Sequence, residues 1–498
     1  MNLASIIDPH PDDATAIISR GRVTDYGTLR DQVARLRGGL IGSGIEPGDR
    51  VGLICANNWY FVASYLAILG VGAVAAPLNP LSPPKELERE LDVIGARALV
   101  VGPAGRAPAA HIDRNRLAAL ELLIHSEGHG SDGEVVTLDD LLASDPAPVV
   151  ERSPDDLAVL MFTSGTAGSP RAAMLSHGNL LSNVDQVIAL RGDGGDIDDV
   201  AFGVLPLFHI FGLNVMLGTA LRVGSSVVLV ERFDPSSAIE AIQKHKVSTL
   251  AGAPTMWATW AAMGGVAPDS FATVTVATSG AAALDPSVSL AIKERFGLEV
   301  GEGYGLTEAS PVVTASYGLP YRPGSIGAPL DGVEVRLVDL DGHDTLVGDP
   351  GEVWVRGPNV FQGYWEDPEA TAAALDADGW LHTGDIGLVD DEGFLFLVDR
   401  SKDLIIVSGF NVYPAEVEDV ISQVSGVVEC AVVGVPHPHT GEAVKVFVVL
   451  DPAFSLEEDA IIEHCAEHLA RYKCPQKVNF VDELPVNITG KVLRRALR

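Results

Sequence analysis

Short β-branched runs alternate with helix-length segments through most of this chain, and that alternation restricts the fold more than any other feature. VGLICA (51–56), ARALVVG (96–102), SSVVLVE (225–231), STLAGAP (248–254) and ATVTVAT (272–278) read as strands. Tyr26–Ile41 and Pro235–His245 read as helices between them. Strands separated by helices have room for crossover connections, so the pattern predicts an α/β fold of layered subdomains with largely parallel sheets. The longest apolar stretch, Phe61 to Leu78, contains Ser64, Tyr65, Gly70 and Gly72 and is flanked by asparagines, so it reads as a buried helix running into a buried strand and not as a transmembrane segment.

The texture changes twice. Between 324 and 360, EVRLVDLDG and GEVWVRG are strand-like runs joined by Gly/Asp turns, which predicts a small β-rich region. After the charged run DRSKD (399–403) a compact α+β pattern begins, long enough for a small domain of its own. The expected organisation is a large N-terminal domain over 1–398, a hinge at 399–402 and a C-terminal domain over 403–498. No fixed-period repeat and no low-complexity segment interrupts it.

Composition excludes some partners. The chain has 498 residues, with 34 basic and 67 acidic side chains and a net charge of −33. A field of that sign repels a phosphate backbone, so nucleic acid is not an expected partner, and a polyanionic substrate would need a local cationic site or a metal ion. The four cysteines, Cys55, Cys430, Cys465 and Cys474, lack C-x-x-C spacing and read as thiols in a reducing cytoplasm. The start, MNLASIIDPHPDD, lacks the basic and apolar regions of a signal peptide.

One segment carries phosphate chemistry. LAVLMF (157–162) reads as a buried strand and runs into Thr163-Ser164-Gly165-Thr166-Ala167-Gly168-Ser169-Pro170-Arg171. Its glycines allow the backbone to turn N–H groups towards an anion, its hydroxyls can donate to phosphate oxygens, and Arg171 supplies charge. It is not a Walker A loop, and composition alone leaves a plain polar turn as a competitor. Further along, Glu302-Gly303-Tyr304-Gly305-Leu306-Thr307-Glu308 places a tyrosine between glycines, where its face can meet a planar base, ahead of a hard-oxygen carboxylate suited to Mg²⁺. Asp385, in WLHTGD, is a carboxylate able to accept two hydroxyl protons.

Together these segments resemble the AMP-forming acyl-CoA synthetases, whose superfamily includes peptide-synthetase adenylation domains and firefly luciferase. The resemblance runs from about Thr28 to Arg494 with the motifs in family order. The phosphate loop is similar to T-S-G-T-T-G-x-P-K-G, with Ala167, Arg171 and Ala172 as departures. The resemblance implies that Thr163, Ser164, Gly165, Thr166, Gly168 and Arg171 hold ATP phosphates. Gly280, Ala281, Ala282, Glu302, Gly303, Tyr304 and Gly305 would surround the adenine, and Thr307 the α-phosphate. Glu308 would ligate Mg²⁺, and Asp385 and Arg400 would hold the ribose. It further implies Lys402 as the hinge of a mobile C-terminal domain, and Ser408, Gly409 and Phe410 beside the coenzyme A thiol channel. Pro414 and Glu416 complete that pattern. Lys491, one of nine lysines in the chain, matches the catalytic lysine.

The acyl pocket is implied at His209, in P-L-F-H with a helix after it, and at Trp257, Ser279, Gly280 and Gly303. The small residues at 279–283 leave room for a chain or ring, and Tyr304 has no arginine neighbour to suit a dicarboxylate. The expected reaction is ATP-dependent activation of a hydrophobic monocarboxylic acid, fatty or aryl, as its acyl-adenylate, followed by transfer to coenzyme A. Transfer to a carrier-protein phosphopantetheine is the alternative acceptor, and a homodimer remains an open assembly.

Overall fold

The strand–helix alternation becomes a seven-stranded sheet at the N-terminal side of the molecule, ordered Val135–Thr137, Leu122–His125, Ala98–Val101, Arg50–Ile54, Val74–Leu78, Leu157–Thr163 and Arg171–Ser176. Its pairings are parallel except the last, where Leu157–Thr163 and Arg171–Ser176 form an antiparallel pair. The computed structural model describes all residues except 128–134, 164–170, 193–194, 340, 401–402, 404, 408–409, 438–440, 470 and 487–491.

The chain divides into two units, one of Met1–Glu334 with Val355–Leu381 and the other of Val335–Trp354 with His382–Arg498. In the larger unit, the apolar run expected to be buried forms the helix Trp59–Val71 and the strand Val74–Leu78. Asn58 caps the helix by accepting from the Phe61 N–H, and Gly72 ends it at φ 82°. A helix apolar all round needs cover on every side, and here nearly every residue is buried.

The second sheet of this unit carries the parallel strands Ser226–Leu229, Val200–Gly203, Thr249–Gly252, Val276–Ser279 and Gly301–Gly305, then turns antiparallel at Val312–Ala315 and Ser325–Pro329. The helix Pro235–His245 has the bounds expected from sequence. The strand expected at 272–278 begins later, at Val276, because Phe271 and Val274 are drawn into the adjoining core instead of a ladder. The aromatic core here stacks Trp257, Trp260, Phe271 and Phe296 edge to face, with centroids 5.0–5.5 Å apart.

The strands Glu334–Val338, Gly351–Arg356, Leu381–Val389 and Leu395–Arg400, which lie mainly in the smaller unit, are neighbours in sequence and in the sheet. A five-stranded sheet follows, in which Val427–His437 and Gly441–Leu450 form a long antiparallel pair. The helices Pro414–Ser422 and Glu458–His468 supply Val417, Ile421, Ile461 and Cys465 to its core. This matches the compact α+β pattern read from the sequence.

Candidate active site

In parallel sheets the carboxyl ends of strands gather where ligands bind. Thr163, Ser279 and Tyr304 stand at or beside such ends. Thr163 and Arg171 pair across the antiparallel ladder, so the expected phosphate loop spans the gap between them. Ser164, Gly165, Thr166 and Gly168 lie outside the described residues. Ala172, which would restrict a backbone of positive φ, sits in ordinary strand geometry instead: it pairs with Phe162, and its carbonyl accepts from the Trp365 N–H at 2.8 Å.

Arg171 is held from two sides. Its Nε donates to Asp367 Oδ2 at 3.1 Å, and its guanidinium lies 5.7 Å from the Tyr364 ring centroid. Asp367 also caps the helix Pro368–Ala374 by accepting from the Ala370 N–H. The Tyr364 hydroxyl donates to Glu308 Oε1 at 2.6 Å. Burial, then the Glu308 charge and this hydrogen bond, push the tyrosine well above its usual range, so it remains a donor. The Phe361 N–H donates to the Glu308 carbonyl and Asn359 Nδ2 to the Ala309 carbonyl, fixing the short turn that carries Thr307 and Glu308. One segment, 359–367, thus positions both the expected phosphate cation and the expected metal-ligating carboxylate.

The glycines around Tyr304 have a different role from the one their sequence suggests. They are strand residues, and a Cβ on Gly303 would stand 2.9 Å from the Thr314 carbonyl and on Gly305 2.3 Å from that of Pro311. The adjoining segment 311–314, not the tyrosine face, requires them to be small. Tyr304 itself is buried. Glu302 braces the adjoining loop, its Oε2 accepting from the Leu284 N–H at 3.1 Å, while its own N–H donates to Ser316 Oγ at 2.8 Å. Burial raises its carboxyl above the usual range, with the Leu284 N–H opposing. Ala281 and Ala282 are exposed, and Ala281 holds φ 72°, a strained conformation for a non-glycine residue of the kind that gathers at ligand clamps.

The expected acyl residues fall into two environments. A Cβ on Gly280 would touch the Phe211 ring at 3.0 Å, and Ser279 beside it is buried with no hydroxyl partner among the described residues. His209 is half-buried, its Nδ1 accepting from the Phe211 N–H at 3.3 Å, and burial lowers its pKa. Trp257 is fully buried in the aromatic core, with its indole Nε1 3.0 Å from where a Gly252 Cβ would lie. The helix expected after His209 is a π-helix, Phe211–Gly218, a rare form that is frequent at functional sites. Asn214 from its interior donates to the Leu180 and Ser310 carbonyls at 3.1 and 2.6 Å. Asn57 grips the preceding segment, donating to the Gly203 and Leu205 carbonyls and accepting from the Leu207 N–H.

In the smaller unit, Asp385 is 6% exposed and pairs directly with Arg400 across an antiparallel ladder, so the two expected ribose contacts share one register position. Thr383 Oγ1 accepts from the Asp385 N–H at 3.1 Å and donates to the Val353 carbonyl at 2.7 Å. Phe410 opens the strand Phe410–Val412, where it pairs with Val407. Pro414 begins its helix, and Glu416 binds Lys473 Nζ at 2.5 Å. Val486 and Val492, on either side of 487–491, form a bridge. Lys402, Ser408, Gly409 and Lys491 lie outside the described residues.

Tyr364, Asp367, Asn359, Asn57 and Asn214 carry no motif. Asn214 alone had a signal, as a lone amide in the apolar run FGLNVMLG.

Residues 5–365 match the AMP-binding enzyme family and residues 416–491 the AMP-binding enzyme C-terminal domain. The chain belongs to the AMP-binding enzyme family. It is 36% identical to a long-chain-fatty-acid–CoA ligase of Yersinia pestis, over 98% of this chain and 91% of that one. It is 35% identical to a feruloyl-CoA synthase of an Amycolatopsis species, over 99% and 96%. Among solved structures, ATP-bound MatB from Rhodopseudomonas palustris superposes with a TM-score of 0.91 at 34% identity, covering 100% of this chain and 98% of that one.

Proposed function

We propose that this enzyme activates a hydrophobic monocarboxylic acid, fatty or aryl, as its acyl-adenylate and transfers the acyl group to coenzyme A. The observation that carries the reading is the linked set Asp367–Arg171–Tyr364–Glu308, which holds the cation Arg171 and the carboxylate Glu308 through one shared tyrosine. In a chain of net charge −33 a triphosphate needs a local cation, which Arg171 supplies, and a metal ion, which Glu308 can hold. The hard oxygens of Glu308 and Thr307 fit Mg²⁺, and the Tyr364 donor occupies only Oε1. When bound there, Mg²⁺ would offset triphosphate charge.

In the first half-reaction a substrate carboxylate oxygen attacks the α-phosphorus, and the bond to pyrophosphate breaks. Arg171 and the phosphate loop hold the leaving group, Asp385 and Arg400 the ribose, and Tyr304 with Gly280, Ala281 and Ala282 the adenine. Lys491 holds one carboxylate oxygen and an α-phosphate oxygen together by charge. The C-terminal domain then turns at Lys402. The thiolate of coenzyme A, passing Ser408, Gly409 and Phe410, attacks the acyl carbonyl and AMP leaves. Among the described residues no helix is long and apolar enough to cross a membrane. We assign the enzyme to the cytoplasm on its four free cysteines, which a reducing compartment keeps as thiols.

Two measurements test this. Fatty and aryl acids should drive ATP–pyrophosphate exchange and acyl-CoA formation, and a broad acid panel that drives neither would sink the reading. Lys491→Ala should lose adenylation by about 10²–10³-fold, from loss of one charge-stabilising group. It should still make thioester from supplied acyl-adenylate, and equal loss in both steps would contradict the role given to Lys491.

A further inference from the structure

The helix Glu458–His468 in the smaller unit ends in His464-Cys465-Ala466-Glu467-His468. The spacings i, i+3 and i+4 put two imidazoles and a carboxylate on one helical face, and Cys465 turns inward to the core. Ligand atoms of His464, Glu467 and His468 all lie within 4.8 Å of one another. The imidazole centroids are 4.4 Å apart.

Three further observations bear on what the cluster can bind. His468 Nδ1 lies 2.8 Å from the His464 main-chain carbonyl, which can only accept, so the proton sits on Nδ1 and the Nε2 lone pair is left for a ligand. A backbone carbonyl orienting the far nitrogen of a histidine is the usual support of a metal-bound imidazole. His464 Nε2 is buried and has no hydrogen-bond partner among the described residues, so the folded chain leaves one ring nitrogen of the pair unsatisfied. The cluster also occupies the last turn of its helix, where unpaired carbonyls favour positive charge.

We propose that His464, Glu467 and His468 form a binding site for a borderline divalent transition-metal ion, Zn²⁺ or its Ni²⁺ and Cu²⁺ neighbours, separate from the Mg²⁺ used with ATP. Two imidazoles and one carboxylate suit these ions and disfavour Mg²⁺ or Ca²⁺, which take oxygen ligands. Tetrahedral Zn²⁺ with bonds of about 2.0–2.1 Å needs ligand atoms roughly 3.3 Å apart. Side-chain rotation supplies that closure, and water completes the shell. The ion clamps one turn of the helix that carries Ile461 and Cys465 into the core, so its effect is on the stability of this unit.

The test is equilibrium dialysis of the full chain against Zn²⁺ in excess Mg²⁺, which keeps the ATP-site carboxylate occupied. Wild type should retain one equivalent more than His464→Ala or His468→Ala, and Glu467→Gln should bind at least about tenfold more weakly, since loss of a ligand costs no less than loss of an outer partner. Zn²⁺ should raise the melting temperature of wild type and leave that of His468→Ala unchanged. Acid-dependent ATP–pyrophosphate exchange, measured without Zn²⁺, should be equal in all of them, which confirms that the variants fold. His468 is exposed, so its variant decides the matter: equal Zn²⁺ retention by wild type and His468→Ala overturns the proposal.

Discussion

Two parts of the larger unit withdraw carboxylates from water, partly at the site and almost fully on a surface helix, and treat them differently. At the site, Glu308 receives the Tyr364 hydroxyl and Glu302 the Leu284 N–H. On the helix Pro84–Val93, Glu88 and Glu90 are each 8% exposed, yet only one has been provided for. Glu88 accepts from the Asp113 N–H at 2.8 Å and faces Arg116, whereas Glu90 Oε2 has no partner among the described residues. Burial, reinforced by Glu86 and opposed by Arg89, pushes the Glu90 carboxyl up to about 8. Burial without a donor therefore favours the neutral form of Glu90, whereas Glu88, at the same exposure, has a backbone donor. Glu308 is held as an acceptor with an oxygen to spare, which is what ligating a cation requires, and Glu90 is held as a neutral acid.

The largest test of this contrast is Glu308→Ala. Removal of a cation-holding carboxylate should lower acid-dependent ATP–pyrophosphate exchange about 10³-fold, roughly 4 kcal/mol of lost charge stabilisation. The melting temperature should barely move, because Glu308 is only partly buried. A variant with unchanged exchange would remove Glu308 from the chemistry.

Glu90 offers the opposite outcome, a stability change without a catalytic one. Its folded pKa, about 8, lies above its ordinary value of 4.5. The stability linked to it is fully present below about pH 4.5 and is lost as pH rises through about 8, since the unfolded chain releases the proton first. Glu90→Gln should flatten that decline, which runs at about 1.4 kcal/mol per pH unit inside the window. Denaturant midpoints at several pH values would measure it. An identical pH profile for wild type and variant would show that Glu90 finds a partner and would erase the contrast with Glu88.

The sequence made the fold readable where one period dominates. The helix Pro235–His245 and the apolar run from Phe61 to Leu78 needed only local pattern and burial. Motifs pointed to Glu308 and Arg171, but the groups that hold them, Tyr364 and Asp367, lie 56 and 196 residues away in sequence. No local signal reports such a contact, because it exists only once 359–367 has added itself to the edge of Arg171–Ser176. The π-helix at Phe211–Gly218 was equally hidden. Its residues read as an ordinary apolar helix, and the wider turn is accompanied by the Asn214 bonds to two distant carbonyls. The reason for the glycines flanking Tyr304 also lay in a neighbouring strand that sequence does not display.

The smallest effect is the sharpest test of the donor argument. Tyr364→Phe keeps the ring beneath Arg171 and deletes only the hydroxyl that donates to Glu308. One hydrogen bond to a charged acceptor is worth about 1.5 kcal/mol, so the apparent KM for Mg²⁺-ATP should rise roughly tenfold. Thioester formation from supplied acyl-adenylate should not change, since that step no longer involves the triphosphate. Asp367→Asn is the companion variant: it weakens the hold on Arg171 while the Tyr364–Glu308 bond stays. If Tyr364→Phe alters the Mg²⁺ dependence and Asp367→Asn alters only the ATP dependence, the two ends of the network act separately, one on the carboxylate and one on the cation. Identical profiles would mean that 359–367 moves as one piece and that the hydroxyl itself is not what holds Glu308 for its ion.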